Sequence, residues 1–331
     1  MPNAECRTPN AERAHHSSFA HWPLTSSAFG IQHSALTPSA KQPERSTSAP
    51  AYLALLAAVG GVAWSAIFVR WAGVPGSASA FYRVLIAGAV LFPWWLARGP
   101  ARAVDRRAAA IAVLGGVFFA LDIALWNTAV MYTGAAVASI LGNNTPVFVG
   151  VLTWLVFRRR PRASFWLGLS LSLAGCLAIM FGPAASGAVR ITWYGNLLAV
   201  GGSAFFAAYL VTTERVRREM DTLTFNTLAI AGSIVTLLVV CLVLRLPLSG
   251  YTPQTWATLV ALGLVSQLAA YYALVYALGH LPATITSVGL LGQVPTTAFL
   301  AWLLLGEHLT ALQIAGGAIV LVGIFVVNRG R

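Results

Sequence analysis

A chain of 331 residues that is 58% hydrophobic and only 9% charged cannot clothe a water-facing exterior, because soluble domains carry roughly 25% charged residues. Its formal charge of +12 sits in short gaps between apolar stretches, which excludes a basic nucleic-acid-binding fold and fits membrane topology instead. The cysteines, Cys6, Cys176 and Cys241, have no metal-binding or redox spacing, and two lie inside apolar runs as packing residues do.

In chain order, residues 1–50 come first, rich in Ser, Pro, Ala, His and Thr and without an apolar run. That composition predicts a disordered tail. It is not a signal peptide, which needs an apolar core behind its basic end. His15, His16, His21 and His33 are too irregularly spaced in this tail to read as metal ligands. From Ala51 onward, apolar stretches of a length that spans a bilayer follow one another, each closed by Arg, Pro or Gly. They predict helices at 52–70, 76–97, 108–131, 134–157, 163–182, 194–213, 223–244, 255–279, 282–305 and 309–327. The expected fold is therefore an all-α integral membrane protein of ten transmembrane helices with short antiparallel connections.

Arginine placement orients these spans. With the N-terminus in the cytoplasm, Arg98, Arg102, Arg106 and Arg107 fall in one inner loop, and Arg158, Arg159, Arg160 and Arg162 in the next. Arg215, Arg217 and Arg218 follow in a third, and Arg329 and Arg331 on an inner tail, leaving only Arg70, Arg190 and Arg245 outside. The positive-inside rule then puts both ends in the cytoplasm.

The chain also repeats itself. AVGG at 58–61 recurs at 199–202; Phe81, Ala87 and Gly88 match Phe225, Ala231 and Gly232. Asn144 and Pro146 match Gln293 and Pro295, and Gly168 and Gly175 match Gly316 and Gly323. Five helices per copy is an odd number, so the second copy (194–327) enters the membrane upside down relative to the first (51–183), an architecture of secondary transporters. The stretches FYRVLIAGAVL at 81–91, YTGAAVASILGNNTPVFVGVLTWLVF at 132–157 and PTTAFLAWLLLGEHLTALQIAGGAIVLVGI at 295–324 resemble the EamA-type proteins of the drug/metabolite transporter superfamily. The resemblance implies a central cavity lined by helices 1–4 and 6–9 and transport, often export, of small metabolites, without naming a substrate. One departure is Phe157-Arg158 in the first copy, where the family repeats the Gly-Glu seen at Gly306-Glu307.

Two charges lie within predicted spans. Arg83 is roughly 10 Å deep in helix 2 and Asp122 roughly 14 Å deep in helix 3, at 1.5 Å of rise per residue. A lone charge there costs at least about 2.5–3.5 kcal/mol, so it faces a partner or a wet cavity. The two are expected to meet, either as part of a substrate site or as a structural ion pair. Pro146 and Pro295 each free a carbonyl four residues back, at Gly142 and Leu291. Asn144 and Gln293 stand two residues before those prolines and Asn143 beside the first; such amides either bind substrate or repair the broken backbone. Trp126 shares a helix face with Asp122, and Tyr271 shares one with Gln267, each four residues apart. Together with Trp64 and Tyr209 on the first helices of the two halves, they complete a candidate lining. The paired glycines are expected to bring helices 5 and 10 close, within the fold or at a homodimer contact. Asp105, Glu214, Glu219 and Asp221 read as solvated among the inner arginines.

No His-Glu-x-x-His, Gly-x-Ser-x-Gly or phosphate-binding loop occurs in the sequence, so neither an intramembrane enzyme nor ATP-driven pumping is expected. A receptor or scaffold is the third class, and the inverted repeat argues against it. The expected partners are a small-molecule substrate and the lipid bilayer of the cytoplasmic membrane, with no nucleic acid and no cofactor.

Overall fold

The structure, a computed structural model, describes residues 49–101, 103–133, 135–180, 192–305 and 310–329. The expected N-terminal tail, save its last two residues, and the Gly306-Glu307 motif lie outside the described residues.

Thirteen α-helices and one π-helical segment account for the ten crossings among the described residues. The first three are α1 (Ala49–Ala72), α2 (Gly76–Arg98) and α3 (Arg106–Thr133). The fourth crossing is broken into α4 (Ala135–Gly142) and α5 (Thr145–Phe157), and α6 (Ala163–Met180) closes the first half. The second half runs through α7 (Trp193–Val216) and α8 (Thr222–Val243). Its third crossing is composite: α9 (Pro253–Ala261), the π segment Leu262–Ala269 and α10 (Ala270–His280). Its fourth is broken, like its counterpart, into α11 (Ala283–Leu290) and α12 (Gln293–Leu305), before α13 (Ala311–Arg329). Eight runs are long and apolar enough to cross a membrane, with Thr145–Phe157 and Ala163–Ile179 as shorter apolar helices. Large apolar side chains such as Leu53, Leu167 and Val243 stand more than half exposed, as lipid-facing residues do.

Packing makes the repeat visible. The first helix, α1, packs on α10, α11 and α12, while its counterpart α7 packs on α3, α4 and α5. Likewise α2 packs on the π segment and α8 on α3. Exchanging each helix for the one five crossings later maps one set of contacts onto the other. The recurring AVGG motif serves this exchange. A methyl on Gly61 would stand 2.5 Å from the Ala270 Cβ on α10, and one on Gly202 would stand 3.2 Å from the Asp122 carbonyl on α3.

The remaining pair, α6 and α13, lies along its own seam. A Cβ on Gly168 would reach within 2.5 Å of the Gly323 carbonyl, and one on Gly175 within 2.5 Å of the Gly316 carbonyl. All four glycines are thus used inside the chain, which resolves their role in favour of intrachain packing. Cys176 and Cys241 are buried and free.

The acidic residues at the arginine-rich ends are structural rather than merely solvated. Asp221 caps α8, its Oδ1 accepting from the Thr224 N–H at 3.0 Å, and Asp105 Oδ2 accepts from the N–H groups of Arg107 and Ala108. Glu214 corrects the sequence expectation most clearly: it is only 3% exposed. Its Oε2 accepts from the Ala283 N–H at 2.9 Å, occupying one of the open donors at the start of α11, and its Oε1 accepts from Arg218 at 3.1 Å.

Candidate functional site

The polar centre forms where α2, α3 and the π segment meet. Arg83 is 8% exposed in mid-α2. Its Nε donates to Gln267 Oε1 at 2.8 Å, and its Nη1 reaches Ser65 Oγ on α1 at 3.4 Å. The guanidinium also stands over two ring faces, 5.5 Å from the centroid of Tyr271 and 6.0 Å from that of Phe119, which attract a cation electrostatically. Its Nη2 has no hydrogen-bond partner among the described residues although it is buried. Gln267 can reach Arg83 because the backbone around it is π-helical, a wider winding found mostly at functional sites. Gly263 keeps that bulged segment tight on α2, since a Cβ there would press on Ile86 at 2.7 Å.

Asp122 is not joined to Arg83 directly. Among the described residues it forms no ion pair with Arg83 and accepts no hydrogen bond. It lies instead where α3 crosses α7, its Oδ1 3.4 Å from where a Cβ on Gly202 would stand. The two charges remain near enough to act on each other electrostatically. A buried donor without an acceptor and a partly buried carboxyl without a donor are thus held in one neighbourhood without being joined.

The second element of the site lies at the two broken crossings. Gly142, Asn143, Thr145 and Pro146 from the first break and Leu290, Leu291 and Gln293 from the second, with Phe206 and Ser287, surround a cavity of about 50 Å³. That volume holds roughly one or two waters. A metabolite needs the halves to move apart. The carbonyls freed by the prolines are largely repaired: Gly142 accepts from Thr145 Oγ1 at 3.0 Å, and Leu291 accepts from the Val294 N–H at 3.0 Å. Asn144 belongs to this repair, its Nδ2 donating to the Leu141 carbonyl at 3.2 Å. Asn143 and Gln293 line the cavity.

Rings join the two elements. Phe206 stacks on Tyr209 at 5.9 Å, and Tyr209 lies 5.3 Å from Phe119, which stands 4.7 Å from Tyr271. From the other side Trp126 lies against Gly142, 3.2 Å from where a Cβ would stand. Of the residues singled out from sequence, Arg83, Gln267 and Tyr271 meet directly, Asn143 and Gln293 share the cavity, and Trp126 borders it. Asn144 stays with the backbone, and Trp64 packs beside Ile67 and Leu300 and stacks on Phe68 at 5.5 Å. Sequence reasoning missed Ser65, Phe119 and Phe206. Phe119 was within reach, standing three residues before Asp122 on the same helix face; no sequence signal marked the other two.

Comparison with known proteins agrees with this architecture. The model of the EamA-like transporter family matches twice, over residues 49–181 and 193–329. The uncharacterized transporter YwfM of Bacillus subtilis is 30% identical over 250 residues, covering 75% of this chain and 82% of its own. The pseudopaline exporter CntI of Pseudomonas aeruginosa is 29% identical over 264 residues, covering 78% and 88%. A crystal structure of 19% identity superposes with a TM-score of 0.71 over 84% of this chain and 97% of the other, a likeness of fold. Two matched copies, the exchange symmetry of the packing and the paired helix breaks lead to one assignment: the chain belongs to the EamA-like transporter family.

Proposed function

We propose that this protein is a secondary transporter that moves small zwitterionic metabolites, amino acids among them, out across the cytoplasmic membrane by alternating access. The observation that carries this reading is the buried Arg83 Nη2, which has no hydrogen-bond partner among the described residues, with the Asp122 carboxyl on the neighbouring helix α3. A substrate bearing a carboxylate and an ammonium group satisfies both at once. Its carboxylate accepts from Arg83, whose planar donors suit it, while its ammonium donates to Asp122. Gln267 fixes the guanidinium, and the rings of Phe119 and Tyr271 face the substrate's apolar part. Asn143 and Gln293 then present amides to the solute as the two breaks separate. The export direction draws on the relative named as an exporter. The arginine distribution supports an orientation with both termini in the cytoplasm. Without an ATP-binding loop in the sequence, the driving force is a gradient or exchange.

The test is counterflow: purified protein in sealed vesicles preloaded with unlabelled amino acids, with labelled zwitterions, monoanions and monocations offered outside. Accumulation of label for zwitterions above the single-charge solutes is the expected result. Exchange of none of them, or chemical turnover of a solute in detergent without compartments, contradicts it.

A further inference from the structure

A second polar recess lies away from the central site, at the arginine-rich ends of three helices. About 190 Å³ in volume, it is lined by Arg107 and Ile111 of α3, Val156 of α5, and Val211, Thr212 and Arg215 of α7. Arg107 comes from the first half and Arg215 from the second, so the recess spans the boundary between the repeats. Neither guanidinium has a hydrogen bond, ion pair or ring contact among the described residues. Their neighbours are handled differently: Arg98, Arg160 and Arg218 lean on the rings of Trp94, Trp154 and Phe157. The acids adjacent in sequence make no ion pair with either guanidinium among the described residues. Asp105 accepts from the backbone N–H groups of Arg107 and Ala108, and Glu214 from Ala283 and Arg218.

We infer that this recess binds the phosphate of an anionic phospholipid and that the bound phosphate ties the two halves together at this face. Two arginines lining one recess offer planar, paired donors to phosphate oxygens, and the Thr212 hydroxyl adds a second kind of donor. The rest of the lining, Ile111, Val156 and Val211, is apolar, which suits an anion carrying acyl chains better than a free one. Leu155 and Val156 on α5 are 53% and 42% exposed, so the apolar rim continues onto the helix surface facing lipid. Anionic lipids attract basic residues at the membrane surface. Emptied of its anion, the recess holds two like charges side by side; filled, it joins α3 to α7 across the repeat boundary. Its occupant therefore favours the conformation in which these ends are together.

The experiment uses the full chain, purified and delipidated in a neutral detergent, and titrated with phosphatidylglycerol, phosphatidylcholine or inorganic phosphate. Thermal unfolding and native mass spectrometry of retained lipid are the readouts. Phosphatidylglycerol is expected to raise the unfolding temperature and to be retained, and phosphatidylcholine to do neither. The Arg107→Gln, Arg215→Gln double variant is expected to bind phosphatidylglycerol at least about tenfold more weakly, since hydrogen bonds to charged groups are the strong ones. The Arg106→Gln, Arg158→Gln double variant has the same net charge and lacks two exposed arginines outside the recess lining; it is expected to bind as the unaltered chain does. Equal loss in both double variants overturns the site. An equal stabilisation by inorganic phosphate overturns the assignment to lipid and makes the ligand a soluble anion. Should the glutamine variant fail to fold, Arg107→Lys, Arg215→Lys keeps the charge while removing the planar donors; binding unchanged in that variant also overturns the proposal.

Discussion

Where α6 crosses α13, four glycines let two backbones touch, and a Cβ on Gly323 would fall 2.2 Å from Ser172 Oγ and 2.5 Å from the Gly168 carbonyl. Around Arg83 the same bundle does the opposite: it buries a guanidinium, supplies Gln267 and Ser65, and leaves one nitrogen without a partner. The seam is closed at its glycines, where an added Cβ would meet backbone at 2.5–2.7 Å. The centre is incomplete, holding a charge whose burial carries a substantial cost in a membrane. Incompleteness at such a cost marks the place where something outside the chain binds, while completeness marks the contact that keeps the halves in register.

Substitutions can break that contrast, and the seam is where the largest effect is expected. Gly323→Val forces two β-branched methyls into backbone, and overpacking of even ordinary cores costs about 1–3 kcal/mol. Loss of the monodisperse peak in size-exclusion chromatography is the outcome predicted. Gly60→Ala is the matched control, because a Cβ there meets nothing within 4 Å; stability at or slightly above the starting value is expected from the better helix former.

At the centre the prediction reverses. Arg83→Leu combined with Gln267→Leu removes both ends of a buried hydrogen bond and orphans neither, so stability should stay within about 1 kcal/mol. Transport should fall by roughly tenfold to a hundredfold, the worth of a charged hydrogen bond or two. A variant that unfolds would place Arg83 with the seam as a structural element.

The amide pair at the first break separates the two behaviours within adjacent residues. Asn144→Ala loses the bond to the Leu141 carbonyl and should lower stability by about 1 kcal/mol. Asn143→Ala should leave the unfolding temperature unchanged and reduce transport. Equal effects at both positions would dissolve the distinction.

The smallest effect is electrostatic and lies outside the spans. Burial raises the Asp221 carboxyl, but the N–H and hydroxyl of Thr224, the N–H of Ala101 and the charge of Arg217 outweigh it and leave it below its ordinary value. A depressed carboxyl contributes stability above its unfolded value of about 3.9, and that contribution disappears as pH falls through the lower folded value. Unfolding temperatures measured from about pH 6 down to about pH 3, a range that brackets the ordinary carboxylate value, should drop less steeply for Asp221→Asn, which keeps the cap and loses the titration.

The sequence made the seam easier to read than the centre. Glycines seven residues apart in two matching helices state a packing face outright, and AVGG near the start of both copies marks where helices cross closely. The breaks at Pro146 and Pro295 were equally legible, since proline removes a backbone donor wherever it stands. Which amide would repair and which would face the cavity was not, because Asn143 and Asn144 differ only in direction. The partner of Arg83 was hidden for a similar reason. Charge pairing pointed to Asp122, whereas a local change of winding at Leu262–Ala269 turns Gln267 into place, and nothing in the apolar run around it announces a π segment. Glu214 looked solvated among arginines because its acceptor role depends on the N-terminus of α11, 69 residues away.

The most direct test of the central claim is counterflow in sealed vesicles with Arg83→Gln and Asp122→Asn made singly and together. Zwitterion exchange should fall sharply in each single variant, while both proteins remain folded. Exchange at the unaltered rate by the double variant would contradict the account, placing the solute's path elsewhere in the bundle.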